Sequence, residues 1–373
     1  MSFALLNRIA LGHRSHRSGR TGRILALSVA AATLTPAVAA HAQPLRDCRA
    51  GLQLMPANRA LIDPELLSTL ATMGGGGGGE RTAANMPAVR ANFLEGFKRR
   101  AALAPPAPAG VRMEERHIPG PAGAPPVRVL IYSPDGPPAT RPALLDIHGG
   151  SYILGFPEMN DARNRMLVKA LGAVIVSIDY RLAPENPFPA AIDDSWAAFE
   201  WLHANATALG VDPARIAVSG DSAGGGLAAS LALMARDKGK LPLRAQILIY
   251  PNVDDRPFTA LDPTCQPGTG AATSRLSLMY LGRPGGADDV PAYAFAARAK
   301  SLAGVAPAFI AVGAVDGLAD QDLAYAQRLI QAGTPTEVHV YPGAFHGFDY
   351  ATKARVTQQF HGDLIEALRK IWR

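Results

Sequence analysis

Three side chains have the types and the chain order that nucleophilic catalysis needs. Ser222 lies in the run G-D-S-A-G at 220–224, Asp316 follows an apolar run that ends at Val312, and His346 lies in YPGAFHGF at 341–348. A neutral histidine can take the proton of a serine hydroxyl, and an aspartate can hold the imidazole and stabilise its cation. Together these residues predict attack of Ser222 on a carbonyl carbon.

The pentapeptide around Ser222 matches G-x-S-x-G, a pattern in which a strand reverses sharply into a helix. Residues 216–218 indicate a buried strand, and apolar residues recur at helical spacing after the serine. The reversal leaves almost no room for side chains two positions before and after Ser222, and it places a helix N-terminus beneath an oxyanion. A glycine-rich strand-to-helix turn with Ser222 as a helix cap is the alternative.

The two partner residues also have simpler explanations. Asp316 could cap the helix that begins near Asp320, and His346 could be a loop histidine bonded to a carbonyl. A second glycine-rich segment favours the catalytic interpretation. The run HGGSY at 148–152 follows a predicted strand, and its bare backbone can direct N–H groups at a developing negative charge. His148 is expected to orient this loop by a backbone hydrogen bond.

Residues so far apart in the chain need a scaffold that brings them together. From residue 111 onward, short apolar runs alternate with helical patterns, which predicts an α/β fold with a mostly parallel eight-stranded sheet and helices on both faces. Ser222, Asp316 and His346 each lie just past a strand end, in the order found in α/β-hydrolases. The predicted strands span 111–119, 127–132, 143–147, 173–178, 216–218, 245–250, 308–312 and 336–341, and the helices between them 190–206, 223–236, 321–332 and 353–372.

The N-terminal 42 residues form a different kind of segment. Five arginines, an apolar stretch and Ala40-His41-Ala42 predict a secretory signal peptide over 1–42 and export to the periplasm or beyond, with a signal anchor in the inner membrane as the alternative. Those arginines supply five of the formal charge of +6. The basic balance therefore belongs to the leader, and it predicts no nucleic-acid partner.

Residues 43–110 contain helical patches, six glycines in a row at 74–79 and a proline-rich linker at 104–110. The predicted catalytic domain spans 111–373, with an insertion at about 255–300. No cluster of His, Cys, Asp or Glu has metal-ligand spacing, so no metal or other cofactor is expected. The two cysteines, Cys48 and Cys265, could form a disulfide or be unrelated thiols.

The sequence resembles the hormone-sensitive lipase-like family of bacterial carboxylesterases, from about Arg112 to the C-terminus. The resemblance implies that Ser222 is the nucleophile, Asp316 the acid and His346 the base, and that the N–H groups of Gly150, Ser151 and Ala223 form the oxyanion hole. It also implies a helical cap, which fits 43–110 and 255–300. The motifs that carry it are HGGSYILG at 148–155, DYRLAPENPFPAAIDD at 179–194, GDSAGG at 220–225, DGLAD at 316–320 and FHGF at 345–348.

The chain departs from the family pattern at two positions. Ser151 stands where the family usually has a third glycine, and Ala314 where it often has a glutamate. The charged residues Asp179, Arg181 and Glu185 lie in the proline-rich turn of the second motif. We expect these three to form an internal ion-pair network instead of acting in catalysis.

Aromatic residues and leucines are predicted to wall the substrate pocket. Phe93, Leu94 and Phe97 come from one helix face of the N-terminal segment, Tyr152 and Phe156 from beside the oxyanion loop, and Phe258, Leu276 and Tyr280 from the insertion. The predicted function is hydrolysis of small-molecule esters with short to medium acyl chains, without a stable membrane anchor and with the oligomeric state left open. Hydrolysis of amides, formamides or carbamates by the same triad, a lipase and a non-catalytic ligand-binding relative are the alternatives.

Overall fold

The computed structural model describes residues 60–73, 81–102, 109–136, 139–256 and 271–373. These residues belong to one compact unit. The predicted signal peptide, the six glycines, Cys48, Cys265 and Phe258 lie outside the described residues. The domain division at residue 110 therefore stays a prediction, as does the cleavage after Ala42.

Among the described residues, eight strands form a single sheet, as the sequence pattern predicted. In space they follow the order β1-β2-β4-β3-β5-β6-β7-β8; β2 is antiparallel to both β1 and β4, and all other neighbours are parallel. The carboxyl ends of β3, β5, β6, β7 and β8 therefore meet at one edge. The strands span Val111–Ile118, Val127–Pro134, Arg141–Ile147, Val174–Asp179, Val211–Asp221, Gln246–Ile249, Ala308–Gly313 and Thr336–Tyr341.

Both faces of the sheet are buried, because successive apolar residues of a strand point to opposite sides. Leu144 and Ile175 belong to one hydrophobic cluster, and their chain neighbours Leu145 and Val176 belong to another. Helices cover both clusters. In the described part of the chain these are α1 Leu67–Met73, α2 Met86–Ala101, α3 Asp161–Leu171, α4 Ala190–Ala204, α5 Ala223–Lys238, α6 Ala271–Leu281, α7 Ala319–Gln331 and α8 Arg355–Ile371.

The helices divide between the two faces. Residues of α4, α5 and α7 pack in the cluster of Leu145, and residues of α3 and α8 pack in the cluster of Leu144. The sequence predicted α4, α5, α7 and α8 but missed α3, whose inward positions include the buried polar residues Arg163 and Asn164. This architecture confirms the predicted α/β-hydrolase fold class.

Helix α2 is fastened beside the predicted oxyanion loop by Arg90. The guanidinium Nε donates to the carbonyl of Ile153 at 2.9 Å, and Nη2 donates to the carbonyl of Ala183 at 2.7 Å. Both terminal nitrogens also pair with Glu185, at 2.8 and 2.7 Å.

In the described ranges, no helix combines the length and the apolar character that a membrane span requires.

Candidate active site

Ser222 stands between the end of β5 and the start of α5 with a strained backbone. Its φ is 55° and its ψ is −119°, a conformation that side chains rarely adopt. Three backbone hydrogen bonds hold it: Ser222 N–H donates to Ile249 O at 2.9 Å, and Ser222 O accepts from Gly226 at 3.0 Å and Asn252 at 2.9 Å. The side chain makes no helix-capping bond. The serine hydroxyl is therefore held for another partner.

Two glycines make this reversal possible. A Cβ on Gly220 would lie 2.2 Å from the carbonyl oxygen of Gly224, and a Cβ on Gly224 would lie 2.0 Å from that of Ile147. Neither position can accept a side chain without moving backbone. The predicted elbow, with its bare positions two residues before and after Ser222, is confirmed.

The structure brings the three predicted residues together. His346 Nε2 lies 2.9 Å from Ser222 Oγ, and His346 Nδ1 lies 2.8 Å from Asp316 Oδ2. The carboxylate accepts from Nδ1–H, so Nε2 carries the lone pair that faces the serine hydroxyl. Asp316 Oδ1 also accepts from Leu318 N–H at 2.8 Å, just before α7. Asp316 thus contacts both the turn that precedes α7 and the imidazole of His346, although the helix itself has no side-chain cap.

Opposing influences act on the imidazole of His346. Burial favours the neutral form and lowers its pKa, but the charge and the hydrogen bond of Asp316, with the charges of Asp221 and Asp349, outweigh burial. The pKa of His346 therefore lies above its ordinary value of about 6.5. A base with this pKa is partly protonated in mildly acidic solution.

We expect kcat/KM to rise with pH through a midpoint above about 6.5, because only neutral His346 can accept the serine proton. Since the folded pKa is raised, the inactive protonated form persists to higher pH than in a free histidine. Initial rates of a water-soluble acyl ester, measured between about pH 5 and 9, give this midpoint. A midpoint well below 6 would show that His346 is not the titrating base.

The loop after β3 presents backbone donors at the same edge of the sheet. Gly150 O accepts from the N–H groups of Ile153 at 3.2 Å and Leu154 at 2.9 Å. The C=O and N–H of a trans peptide point in opposite directions, so the N–H of Ser151 points away from those two residues. Within the described residues, the N–H groups of Gly150, Ser151 and Ala223 have no protein acceptor. These three groups are the predicted oxyanion donors.

The neighbours of this loop fix its position. His148 Nδ1 donates to Gly149 O at 2.7 Å, which agrees with the orienting hydrogen bond expected from the sequence. Tyr180 donates to His148 O at 3.0 Å and stacks on its ring. Gly149 N–H donates to Asp221 Oδ2 at 3.1 Å. Asp221, which directly precedes the nucleophile, therefore joins the oxyanion loop to the turn that carries Ser222.

Ser151 adopts a left-handed backbone conformation with a φ of 59°. A glycine at this position is free of the steric cost that a side chain pays there, about 1 kcal/mol. We expect Ser151→Gly to keep or raise kcat and to raise the free energy of unfolding by up to about 1 kcal/mol. Urea unfolding and steady-state kinetics measure the two effects.

Gly150→Val is the contrasting variant. Gly150 has a φ of 123°, and a Cβ there would lie 2.1 Å from the carbonyl oxygen of Leu154. The displaced donors should lower kcat about 10²-fold or more. Wild-type rates in Gly150→Val would exclude this loop from the site, and a tenfold loss in Ser151→Gly would contradict the argument on conformation.

Three of the predicted pocket residues, Phe93, Phe97 and Phe156, contact one another. The ring of Phe156 lies edge-on to Phe97 with centroids 4.9 Å apart, and to Phe93 at 6.0 Å. All three rings are half-buried, between α2 and the segment after the oxyanion loop. Leu94, expected on the same helix face, is exposed instead. A role of the three phenylalanines in substrate binding stays a prediction.

Tyr152 was predicted to wall the substrate pocket, but its side chain is almost fully buried. Its ring is 1% exposed and stacks on Tyr280 with centroids 3.8 Å apart, and its hydroxyl donates to Asn252 O at 3.2 Å. Tyr152 borders a small cavity of about 20 Å³ that Leu276 and Phe295 also line. A space of this size holds about one water molecule. The ring of Tyr152 is a buried support for the oxyanion loop.

The charged residues of the proline-rich turn make ion pairs, as expected, but not with one another. Arg181 pairs with Asp194 at 2.7 Å, Asp179 pairs with Arg128 at 3.3 Å, and Glu185 pairs with Arg90. Of the three, Glu185 is exposed. The turn is thus tied to three different elements, and the prediction that its charged residues make ion pairs within the protein is confirmed.

Sequence reasoning missed two residues that contact the triad. Tyr250 follows β6, and its ring centroid lies 4.6 Å from that of His346. Asp221 was treated as a variable position of the pentapeptide, although a carboxylate at the end of a buried strand needs partners, which is a readable signal. Over the described ranges, no group of three His, Cys, Asp or Glu side chains could hold a metal ion.

The sheet, the strained serine and the hydrogen-bonded histidine and aspartate define a serine hydrolase. Comparison with known proteins identifies its family. Residues 144–350 match a family described by the alpha/beta hydrolase fold. Over 243 residues the chain is 39% identical to esterase LipI of Mycobacterium tuberculosis, a match that covers 64% of this chain and 75% of that relative.

A second relative and a solved structure agree. Ethyl acetate hydrolase of Pseudomonas putida is 36% identical over 230 residues, 60% of this chain and 71% of that protein. A bacterial heroin esterase superposes with a TM-score of 0.74 at 35% identity, covering 85% of this chain and 99% of that one. The chain belongs to the alpha/beta hydrolase family, among the hormone-sensitive lipase-like carboxylesterases that the motifs predicted. The predicted enzyme class is likewise confirmed.

Proposed function

We propose that the protein hydrolyses small-molecule carboxylic esters with short to medium acyl chains, through an acyl-enzyme formed on Ser222. The observation that carries this proposal is the position of His346, 2.9 Å from Ser222 Oγ and 2.8 Å from Asp316 Oδ2. Relatives named as esterases support the bond type. One of them is named as an ethyl acetate hydrolase, which supports a short acyl group.

In the acylation step, neutral His346 accepts the proton of Ser222 as the hydroxyl oxygen attacks the ester carbonyl. Asp316 keeps the Nδ1–H tautomer and stabilises the imidazolium that forms. The N–H groups of Gly150, Ser151 and Ala223 then bind the oxyanion of the tetrahedral intermediate. The imidazolium gives its proton to the alcohol oxygen, the ester C–O bond breaks, and the alcohol leaves.

Deacylation repeats these steps with water as the nucleophile. Neutral His346 takes a proton from water, whose oxygen attacks the acyl carbon, and the same donors bind the second oxyanion. The imidazolium then protonates Ser222 Oγ as the carboxylic acid leaves. Each proton removed by His346 is returned, so the free enzyme is regenerated without another reactant.

We expect kcat/KM to increase about fourfold for each methylene from acetyl to butyryl or hexanoyl nitrophenyl esters, because each buried methylene contributes about 0.8 kcal/mol. Longer chains should then be poorer substrates, as they collide with the half-buried aromatic cluster of Phe93, Phe97 and Phe156. A panel of nitrophenyl esters measures this dependence. If emulsified dodecanoyl esters were the best substrates, the protein would be a lipase acting at an interface.

The same panel tests the other bond types. Amides, formamides and carbamates use the same triad, so matched anilides should be included with the esters. A higher kcat/KM for anilides than for esters would assign an amidase instead. Binding of the esters without any turnover would identify a non-catalytic ligand-binding protein. We do not expect this result, because the hydrogen bonds of the triad are intact.

We infer export from the leader pattern of residues 1–42, with a positive region, an apolar stretch and Ala40-His41-Ala42. Fractionation of cells that express the full chain, with N-terminal sequencing of the product, tests this proposal. A periplasmic or secreted protein that begins at Gln43 is expected. A full-length product in the inner membrane would show that the signal remains as an anchor.

A further inference from the structure

A buried ionic cluster lies below the triad, between α3 and the loops that carry Ser222 and His346. We call it the Arg163 cluster: the guanidinium of Arg163 with the carboxylates of Asp146, Asp221 and Asp349. Arg163 Nη2 lies 2.7 Å from Asp221 Oδ1 and 3.5 Å from Asp146 Oδ1, and Nη1 lies 3.2 Å from Asp349 Oδ2. Their side chains are between 1% and 8% exposed. One positive charge thus faces three acidic groups away from water.

Burying charges at this density is costly, because each ion loses its hydration. Hydrogen bonds offset part of the cost at Asp146, which accepts from Asn164 at 3.0 Å and Ser177 at 2.8 Å. Asp221 likewise accepts from Asn160 at 2.9 Å, but for Asp221 and Asp349 Arg163 supplies the positive charge. If the guanidinium were removed, two carboxylates would remain buried with less compensation.

Asp221 and Asp349 connect Arg163 to the catalytic groups. Asp221 immediately precedes Ser222 and accepts the N–H of Gly149, so it touches the elbow and the oxyanion loop. Asp349 lies three residues after His346 and accepts the hydroxyl of Tyr250 at 2.5 Å. The ring of Tyr250 packs against His346. Arg163 therefore joins, through one carboxylate each, the segment of the nucleophile and the segment of the base.

The groups facing His346 come from four elements. They are Asp316 after β7, Asp221 at the end of β5 with the neighbouring Ser222, Asp349 on the same loop, and Tyr250 after β6. Burial raises the pKa of Tyr250 well above its ordinary value, with the charge of Asp349 as a further cause, so its hydroxyl is neutral. Arg163 pairs directly with two of the three carboxylates that face the imidazole.

We propose that Arg163 is a positioning residue for ester hydrolysis: it holds the nucleophile segment and the histidine segment in register and offsets the charges of Asp221 and Asp349 beside His346. This inference depends on the proposed function of the triad. It adds a residue of a helix that carries none of the catalytic groups, and whose side chain does not touch the reacting atoms.

The two parts of this role change different measured quantities, the pH dependence of kcat/KM and the value of kcat at the optimal pH. Without the guanidinium, uncompensated Asp221 and Asp349 favour the imidazolium, so the pKa of His346 rises and the acidic limb of the pH profile moves to higher pH. Loss of the two bridging contacts lets the segments of Ser222 and His346 move apart, which lowers kcat even at the optimal pH. A purely structural role would lower stability without moving the limb.

The experiment compares kcat, KM and the pH dependence of kcat/KM for Arg163→Met and Arg163→Lys in the full chain, with nitrophenyl butyrate as the substrate. For Arg163→Met we expect a limb raised by roughly 0.5 to 1 pH unit and kcat lowered about tenfold or more, with KM changed by less than about threefold. Arg163→Lys keeps the charge but lacks the fork that reaches two carboxylates. Its limb should stay near the wild-type position while kcat falls.

Arg165→Met is the matched control. Arg165 lies two residues further along α3 and pairs with Asp161 at 2.9 Å, away from the Arg163 cluster. Its removal deletes the same charge from the same helix, and we expect the pH limb to stay in place. An equal shift of the pH limb in Arg165→Met would show that the shift arises from the net charge of the protein, and it would overturn the proposed role of Arg163.

Asp349→Asn keeps the inference testable if Arg163→Met does not fold. This variant retains the shape of the side chain and removes one carboxylate that faces His346, so the limb should move to lower pH. An unmoved limb in both Arg163→Met and Asp349→Asn, or in Asp349→Asn alone if the other is unfolded, would overturn the proposal. Loss of the proposed function is recognised separately, because wild-type turnover would then persist in Ser222→Ala.

Discussion

Ser222→Ala is expected to lower kcat by about 10⁵- to 10⁶-fold while the protein remains folded. The three groups of such a triad act as a unit, so removal of the nucleophile alone costs nearly as much as removal of all three. Alanine keeps the Cβ and the three backbone hydrogen bonds that hold residue 222. The free energy of unfolding should therefore change by less than about 0.5 kcal/mol. Single-turnover kinetics and urea unfolding measure the two quantities.

Ser230→Ala provides the control for this variant. Ser230 is a buried serine of α5, the helix that begins directly after Ser222, and its hydroxyl has no hydrogen-bond partner within the described structure. We expect wild-type kcat in Ser230→Ala. To exclude contaminating esterases, both variants are purified in the same way from cells that lack the wild-type protein. Retained turnover in Ser222→Ala would then contradict the mechanism.

Asp316→Asn should produce the second largest loss, about 10⁴-fold in kcat. An asparagine amide in place of the carboxylate donates to His346 Nδ1 instead of accepting from it. The imidazole would then carry its proton on Nε2, where no lone pair remains for the Ser222 hydroxyl. The charge that stabilises the imidazolium would also be lost. Steady-state kinetics at saturating ester measure the effect.

Asp320→Asn is the matched control for the acid. Asp320 is a half-buried residue in the first turn of α7, four residues after Asp316, and it is not a hydrogen-bond partner of His346 within the described residues. Its replacement should leave kcat within about twofold of the wild-type value, because the catalytic hydrogen bonds stay intact. Equal losses in Asp316→Asn and Asp320→Asn would indicate damage to the helix start and not to the base.

The sheet could be predicted because the sequence of a strand buried on both faces is a continuous apolar run. All eight runs became strands, with ends shifted by a few residues; the largest change is β5, which begins at Val211 and not at 216. The order of the strands in space could not be predicted in detail. Local periodicity carries no information on which distant strands pair.

Helix α3 was missed for a physical reason that also explains its role. Its buried face includes Arg163 and Asn164, so the apolar repeat that marks an amphipathic helix is interrupted there. The compensation for these polar residues comes from Asp146, Asp221 and Asp349, which lie far from α3 in the chain. A sequence pattern shows each charge but not its partner.

The candidate triad could be predicted because chain order and strand-end positions fix where such residues meet in this fold. The pocket could not. Tyr152 was predicted to wall the substrate pocket, yet stacking on Tyr280 buries its ring. Packing between the oxyanion segment and α6 decides this, and aromatic residues in a sequence do not reveal which neighbour they stack on.

Covalent trapping tests the central claim most directly. A nitrophenyl alkylphosphonate, which reacts with activated serines and is not hydrolysed, is incubated with the full-length protein, and the adduct is located by mass spectrometry. We expect one phosphonyl group per chain on the tryptic peptide 216–236, with fragmentation assigning it to Ser222 and not to Ser219 or Ser230. No adduct should form in Ser222→Ala. Labelling at another residue, or equal labelling of Ser222→Ala, would contradict Ser222 as the nucleophile.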